Sequence, residues 1–529
     1  MHLLRRYLNL LIAVAFGATL IVLAPLGTAF ELGSCEGYEL MKGTLFSLGY
    51  GPREMWNDQP PFHTFLLGVL FRAMGPSVYW ARLLQVAFAS LLVSCFYGVL
   101  HRQTDRVGAV AGVLLLVSTP PFLKLSAAVI IELPAMALAI ASFLAWRHYV
   151  EKHRTIWLAV SACLMGVALQ TKLTAVLFLP AMLTDYLLWR NRQVSFSSAA
   201  PTVSRERERN SRHGLKCLLA RLPGAFRPFL CLPCSKKKPV LIWLMSLAAV
   251  FTLIALAFGE SMHIFWKSHF SSGTRSAYAN SGFEIAHLLQ TPEALLAASV
   301  GLASILWYKR WNLLPPIVFF ATVLLVHRFH RPYWDYYYLH FCIALAWLGS
   351  AGFAELFAIV GNCQSRHFKV RPVQTCFAFT VWAGLTALVI VEAPLQIKKQ
   401  FDTLSKAQVI AQNAAVREMA TYRGVTKWAV TDQVIYAFHA HLLVPPELAV
   451  VPEKRVTSGE IQSADILKVL RHYRPEQIAL FGSLAAQEVY NQPEVLEFIK
   501  TNYVAKDTVA IRDFYLLRSL VLQKATDNL

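Results

Sequence analysis

Acidic side chains are concentrated beside the apolar segments of this chain. The loop between Glu31 and Trp80 contains Cys35-Glu36-Gly37-Tyr38-Glu39 and Trp56-Asn57-Asp58-Gln59-Pro60-Pro61, and a further acid, Glu132, lies near the start of a later apolar segment. A carboxylate next to hydrocarbon must be paired, hydrated or protonated, so it is costly unless it has a function. Such carboxylates can accept a proton from a substrate or bind a cation. The acidic residues in the loop of residues 31–80 therefore predict a catalytic or ion-binding site at a membrane face.

Basic and imidazole groups occur at the ends of the apolar segments as well. Lys172 lies in the turn between two of them, His269 follows another, and Arg328 and Arg331 flank a fourth. Each has a structural explanation when taken alone, because a lysine or arginine here is typical of a side chain that reaches the lipid headgroups. Glu132 alone is typical of a buried acid with a partner. Together they indicate a site, because ionisable groups within membranes are mostly functional.

The composition indicates an integral membrane protein. Of the 529 residues, 56% are hydrophobic and only 15% are charged, and the mean hydropathy is +0.45. Soluble domains have about 45–50% apolar and about 25% charged residues. The formal net charge of +19 does not indicate nucleic-acid binding, because the basic residues lie in short loops between apolar segments, as in the positive-inside pattern.

Apolar segments long enough to cross a bilayer recur along residues 1–391, and about eleven can be drawn. The predicted spans are Leu8–Phe30, Ala81–Leu100, Val107–Pro121, Ala127–Trp146, Thr155–Gln170, Leu173–Trp189, Pro239–Phe258, Pro292–Trp307, Asn312–Val326, Tyr336–Val360 and Thr375–Val391. Arg5 and Arg6 place the N-terminus in the cytoplasm. We therefore predict a multi-pass protein of the inner cell membrane, with the loop of residues 31–80 facing outward.

Two regions interrupt the series of apolar segments. Residues 190–238 form a Ser/Arg-rich loop, which is predicted to be a cytoplasmic linker near anionic headgroups. Residues 392–529 are more polar, with strand patterns at Trp428–Asp432 and Gln477–Phe481 and helix patterns at Ser463–His472 and Pro493–Thr501. The fold class predicted is thus a polytopic α-helical membrane protein with a small α/β domain at its C-terminus, outside the cytoplasm.

The outward loop resembles that of a known superfamily. Cys35-Glu36-Gly37-Tyr38, Asp58-Gln59-Pro60-Pro61 and Ala81-Arg82-Leu83 are similar to the first outward loop of the protein O-mannosyltransferase and lipid A aminoarabinose transferase superfamily. Glu132-Leu133-Pro134 and the segment Phe265–Phe270 extend the resemblance. It covers about residues 1–391 and rests on the motifs taken together.

The resemblance implies a glycosyltransferase of the GT-C type that uses a polyprenyl-phosphate sugar as donor. The sugar would be a hexose or pentose, and the acceptor a lipid, a glycan or a protein. The chain departs from the superfamily pattern at two positions. Cys35 stands where the usual catalytic Asp is found, and Gln59 stands where the aminoarabinose transferases have a phosphate-contacting Lys. Another cation must therefore face the phosphate, because the Gln59 amide is uncharged.

Sugar transfer from a lipid phosphate needs a base for the acceptor hydroxyl and positive charge at the leaving phosphate. Glu36 is predicted to be the base, and Glu132 a second acid that positions the acceptor or the base. A divalent metal ion is predicted at Asp58 and His269. The remaining predicted contacts bind the donor phosphate and are Lys172, Arg328, Arg331 and Gln59. A single displacement inverts the anomeric centre and needs no carboxylate nucleophile.

Two other functions use similar residues. A transporter or lipid flippase also has intramembrane acids and apolar grooves, but its binding groups belong near the bilayer midplane rather than at one face. An oligosaccharyltransferase is the nearer alternative, because Tyr333-Trp334-Asp335-Tyr336 is similar to its Trp-Trp-Asp-Tyr-Gly signature. That signature belongs in a soluble domain, whereas here the tetrapeptide opens a predicted span.

Overall fold

The computed structural model describes residues 2–29, 35–198, 234–258, 262–362, 372–406 and 413–521. Of the predicted basic loop at residues 190–238, only the two ends fall within these ranges, so the linker itself lies outside the described residues. The same holds for residues 30–34 at the start of the outward loop.

Helices make up most of the described chain. Those of the first half are α1 His2–Leu23, α2 Glu36–Ser47, α3 Phe62–Met74, α4 Val78–Gln103, α5 Arg106–Val117, α6 Pro120–Ser126, α7 Glu132–Lys152, α8 Thr155–Thr171 and α9 Leu179–Ser198. Next come α10 Cys234–Phe258, α11 Met262–Phe270, α12 Ser272–Ala277, α13 Pro292–Trp307, α14 Leu314–Phe329, α15 Tyr338–Asn362 and α16 Pro372–Ser405.

Among the residues that the structure describes, five helical stretches are long and apolar enough to cross a membrane. They are Val78–Gln103, Pro239–Phe258, Trp311–Phe329, Asp335–Val360 and Phe379–Ser405. A sixth span is reached if α5 and α6 count as one broken helix, bent by 73°. Shorter apolar helices cover several of the other predicted segments. A multi-pass membrane protein is therefore confirmed, whereas the number of about eleven spans stays a prediction.

The helices pack in an order that follows the chain. Helix α4 packs against α1 and α7, α7 packs against α8, and α8 packs against α10. Helix α15 is the central helix of the other half and contacts α5, α13, α14 and α16. The crossing of α13 and α15 is close because Gly301 faces the backbone of Leu348 and Gly352, as is common where membrane helices meet at small residues.

Helix α7 begins five residues later than the predicted span at Ala127–Trp146. Residues 127–131 form a turn instead, in which the side-chain amide of Gln85 on α4 donates to the carbonyl oxygens of Ala128 at 2.8 Å and Ile130 at 2.6 Å. This buried amide supplies the donor that a non-helical carbonyl needs away from water. As a result Glu132 becomes the first residue of α7.

The C-terminal region has the mixed structure that its patterns predict. Strands β1 Ala429–Thr431, β2 Gln477–Leu480, β3 Tyr503–Ala505 and β4 Asp513–Leu517 form one sheet in the order β1-β2-β4-β3. Only the β1–β2 pair is parallel. The helices of this region are α17 Ala414–Ala420, α18 Val434–His439, α19 Glu453–Thr457, α20 Ser463–Tyr473, α21 Leu484–Tyr490 and α22 Pro493–Asn502. The predicted boundary at residue 392 falls inside helix α16.

The C-terminal region shares one hydrophobic core with the outward loop. Buried side chains of α2 and α3, such as Leu40 and Phe71, belong to the same cluster as those of the sheet. The two regions come close together at Gly37, where a Cβ atom would lie 2.7 Å from the backbone nitrogen of Ile435 on α18. Helix α2 is therefore fixed between the membrane helices and the C-terminal sheet.

A methyl group at Gly37 is expected to separate these two surfaces. Gly37→Ala should destabilise the contact between α2 and α18 by about 1–3 kcal/mol, the usual cost of overpacking. Limited proteolysis of the detergent-solubilised protein should then cut the C-terminal region faster than in the wild type. Gly384→Ala is the matched control, because nothing lies within 4 Å of a Cβ atom built there. Equal cleavage rates for the two variants would contradict the expected role of Gly37.

Candidate active site

Glu36 and Arg82 form a fully buried ion pair behind the outward loop. The guanidinium of Arg82 donates to both carboxylate oxygens of Glu36, at 2.8 and 2.7 Å, and the backbone N–H of Val129 donates to one of them at 3.0 Å. Arg82 also donates to the carbonyl oxygens of Leu26 and Ala29. Both side chains have no solvent-exposed area. This pair ties the end of α1, the start of α2 and the turn before α7 to helix α4.

One turn along α2, Glu39 binds two cationic or polar partners. Its carboxylate lies 2.7 Å from Nζ of Lys42 and 3.0 Å from Nδ1 of His63. The spacing of three residues between Glu39 and Lys42 places them on one helix face. Burial alone would raise the pKa of the Glu39 carboxyl, but the Lys42 ammonium and His63 outweigh it and lower the pKa to about 2. Glu39 is therefore a carboxylate with both oxygens engaged. Lys42 also donates to Oδ1 of Asn57 at 3.3 Å.

A second acid–lysine pair joins α7 and α8. Nζ of Lys172, directly after α8, forms an ion pair with Oε1 of Glu132 at the start of α7. The other oxygen, Oε2 of Glu132, is buried and has no hydrogen-bond donor in the part of the chain that the structure describes. Lys172 also lies over two aromatic rings, 4.8 Å from the centroid of Tyr336 and 5.2 Å from that of Tyr337. A buried polar atom without a partner needs an explanation, and a catalytic role is one of them.

Asp58 is bound from three sides. Its Oδ2 atom pairs with Nζ of Lys454, accepts a hydrogen bond from the side-chain amide of Gln59 at 3.0 Å, and lies 3.6 Å from Nε2 of His269. Burial alone would raise the pKa of Asp58, but Lys454 and His269 hold it well below its usual value. Burial, together with Lys454, lowers the pKa of His269 to about 4, so its imidazole is neutral at pH 7.

These groups line one cavity of about 300 Å³ between the helix ends and the C-terminal region. Three lysines contribute to its wall, and they come from α2, from the end of α8 and from α19. Four acids, Glu39, Asp58, Glu132 and Glu453, line it as well. The rest of the lining is mixed, with Cys35, Gln59 and Tyr336 beside apolar residues. Such a cavity can hold an anionic group against the ammonium groups while a carboxylate accepts a proton.

The cavity joins only some of the predicted site residues. It is lined by Gln59, Asp58, Glu132 and Lys172, and His269 adjoins it through Asp58. Glu36 does not line the cavity, and its buried carboxylate is paired with Arg82 instead. The predicted arginines are both exposed and outside the lining, and Arg331 donates to the carbonyl oxygen of Ala279. A second cavity shares Cys35 and Tyr336 and extends towards Lys124 and Asp335.

The sequence patterns assign no role to Lys42, His63 or Lys454. The three-residue spacing of Glu39 and Lys42 is a signal for a helical ion pair, and it was available in the sequence. No local pattern marks Lys454, because it lies 396 residues from its partner Asp58. Only the packing of α19 against the outward loop brings the two together.

The predicted metal ligands do not form a complete metal site. Asp58 and His269 provide two donors, whereas a bound zinc ion takes three or four protein ligands. No group of three or more His, Cys, Asp or Glu side chains that could hold a metal ion occurs among the described residues. The Lys454 ammonium also occupies the same Asp58 oxygen that faces His269. A divalent cation at this oxygen would be repelled by that ammonium.

Helices packed around a polar cavity at one end of a multispan bundle give the protein a GT-C type fold, and comparison with solved structures supports this fold class. ArnT from Cupriavidus metallidurans in the apo state matches with a TM-score of 0.58 and 12% identity, over 95% of this chain and 97% of that one. The same enzyme bound to undecaprenyl phosphate matches with a TM-score of 0.56 and 13% identity, over 96% and 97%.

More particularly, the chain resembles the protein O-mannosyltransferase and lipid A aminoarabinose transferase superfamily, as its motifs predict. Residues 58–204 match the family described as dolichyl-phosphate-mannose-protein mannosyltransferase. An Archaeoglobus fulgidus oligosaccharyltransferase in the apo form shares the fold more distantly, with a TM-score of 0.51 and 11% identity over 97% of this chain and 74% of that one. No curated protein matches the sequence.

Proposed function

We propose that this protein transfers a sugar from a polyprenyl-phosphate donor to an acceptor hydroxyl at the outer face of the membrane. The observation that carries this proposal is the cavity in which three lysines face the same space as Glu132. A lipid phosphate ester is a good leaving group only where its growing negative charge is neutralised, and the lysines supply that charge. The similarity in fold to ArnT bound to undecaprenyl phosphate agrees with a lipid-phosphate donor.

Glu132 is the group best placed to take the acceptor proton. A general base must reach the hydroxyl, so it has to line the cavity. Glu39 also lines it, but both of its oxygens already bind Lys42 and His63. Oε2 of Glu132 has no donor within the described chain and can therefore accept a hydroxyl proton. Glu36 is assigned the role of positioning α2, because its carboxylate is held by Arg82 away from the cavity.

The proposed reaction is a single displacement with inversion. The acceptor oxygen forms a bond to the anomeric carbon of the sugar while the bond from that carbon to the phosphate oxygen breaks. The electron pair of the broken bond stays on the polyprenyl phosphate, which leaves with one more negative charge, and the acceptor proton moves to Glu132. No covalent sugar–enzyme intermediate is needed, unlike in a retaining glycosidase.

Lys172 is the proposed contact for the donor phosphate. It is buried in the cavity wall, whereas Arg328 and Arg331 are exposed outside it. Gln59 lies beside Asp58 and has a second amide hydrogen for a phosphate oxygen. The two arginines are assigned to the membrane boundary, where long cationic side chains reach the headgroups.

Purified protein in lipid vesicles tests the proposal directly. The vesicles are loaded with a polyprenyl phosphate carrying a labelled sugar and are given lipid, glycan and peptide acceptors in turn. Label on one acceptor, in the anomeric configuration opposite to that of the donor, supports the proposal. Movement of the labelled donor across the bilayer without transfer would indicate a flippase. Transfer of a preassembled oligosaccharide to asparagine would indicate an oligosaccharyltransferase.

Removing the Lys172 charge is expected to weaken donor binding. Lys172→Met should raise the donor KM by about ten- to hundredfold, because a hydrogen bond to a charged group contributes about 1.5–3 kcal/mol. The KM is measured with the labelled donor at saturating acceptor. Lys124→Met is the matched control, because Lys124 lines the neighbouring cavity instead. An unchanged donor KM in Lys172→Met would remove Lys172 from the phosphate site.

A further inference from the structure

The C-terminal region contributes one cationic side chain to the lining of the cavity, that of Lys454. Lys454 is the second residue of the short helix α19, and its ammonium forms an ion pair with Asp58 of the outward loop. The side chain is 15% exposed, and that of Asp58 is 8% exposed. Lys454 also lies 5.9 Å from the ring of Trp56. The C-terminal region thus places a cation beside Asp58 and Trp56 of the outward loop.

Helix α19 is held firmly at this place. The buried side chain of Arg455 donates to the carbonyl oxygens of Glu447 at 2.7 Å and Val450 at 2.8 Å, and it lies over the Trp56 ring. The indole N–H of Trp56 in turn donates to Glu460, at 2.7 Å. These contacts fix the position of the neighbouring Lys454 before any substrate binds, which lowers the entropic cost of placing its charge.

The chemistry around Asp58 fits an ammonium group better than a metal ion. Asp58 and His269 are the only two metal-type donors that meet at this point of the described chain. Lys454 binds the same Asp58 oxygen that would otherwise coordinate a metal ion. Lys454 lines the cavity as well, so its side chain borders the space that a donor phosphate would enter. An ammonium carries three hydrogens, enough for Asp58 and a phosphate oxygen together.

We infer that Lys454 takes the place of a divalent cation, presenting its ammonium to the donor phosphate while Asp58 holds it in position. This inference rests on the proposed function, because it assigns the phosphate of the lipid donor to this end of the cavity. It also gives the C-terminal region a direct part in donor binding. Lys454 adds its positive charge to the cavity from α19, an element separate from those that carry Lys42 and Lys172.

Binding of polyprenyl phosphate to the full-length protein tests the inference without relying on turnover. We expect Lys454→Met to weaken this binding by about ten- to hundredfold, and Lys454→Arg to restore most of it because the charge is kept. Lys468→Met, an exposed lysine on α20, should bind as the wild type does. A chelator should change neither the binding nor the transfer activity of the wild type.

Lys454→Met leaves the buried Asp58 carboxylate unpaired, which destabilises the fold. The double variant Lys454→Met with Asp58→Asn avoids this because it removes both charges. Weak binding by the folded double variant supports the inference. Wild-type affinity in either variant, or loss of wild-type binding in chelator, overturns it. A protein that binds polyprenyl phosphate through Lys454 but transfers no sugar to any acceptor would retain the inference and contradict the proposed function.

Discussion

Replacing Glu132 by glutamine is expected to lower the kcat of sugar transfer by about 10²–10⁴-fold, the usual contribution of a positioned general base. Glutamine keeps the size of the side chain and can still accept a hydrogen bond from Lys172, but its amide cannot take up the proton of the acceptor hydroxyl. The donor KM should change far less than kcat, because phosphate binding is assigned to the lysines. Initial rates with labelled donor at varied concentrations separate the two quantities.

Glu293→Gln is the matched control for this experiment. Glu293 is also a buried acid in the first turn of an apolar helix, α13, but it does not line the cavity. Its replacement should leave kcat within about twofold of the wild type, as for a change without contact to the reaction. A Glu132→Gln enzyme with normal kcat would exclude Glu132 as the base. Glu39 would then be the acid to test next, because it also lines the cavity and lies beside Lys42.

Arg82→Met is expected to cost about 3–5 kcal/mol in the free energy of unfolding, because it leaves the Glu36 carboxylate charged, buried and unpaired. The carbonyl oxygens of Leu26 and Ala29 lose their donors as well. Chemical unfolding in detergent micelles measures the difference. The matched control is Arg102→Met on the same helix, α4, whose partner Glu151 is partly exposed. An exposed pair of this kind contributes about 0–1 kcal/mol.

The double variant Glu36→Gln with Arg82→Met separates positioning from catalysis at Glu36. With both charges removed, much of the stability lost in Arg82→Met should return, since a buried ion pair can often be replaced by neutral groups. If Glu36 only positions α2, the refolded double variant retains measurable transfer. A stable double variant with no transfer, beside an active Glu132→Gln enzyme, would return the role of base to Glu36 as the sequence predicts.

Glu36 and Glu132 show how much of the candidate site could be predicted from the sequence. Both were identified as acids beside apolar segments, and the structure puts both close to helix ends at the same side of the bundle. Which of them faces the cavity depends on Arg82 and Gln85, two residues of α4 whose side chains bind the outward loop and the turn before α7. Local patterns do not specify which distant donor a carboxylate meets. They could therefore not tell which of the two acids lines the cavity and which is held by an arginine behind it.

The sequence by itself determined that this is a multi-pass membrane protein, where its polar groups are concentrated, and two of the strands and two of the helices of the C-terminal region. These properties follow from composition and from periodicities of a few residues, which a single chain segment carries. Only the tertiary structure decided that Glu39 also pairs with His63, that Glu132 keeps one oxygen towards the cavity, and that Lys454 reaches Asp58. Those contacts join segments up to 396 residues apart, and the packing of the C-terminal region against α2 brings Lys454 to the cavity.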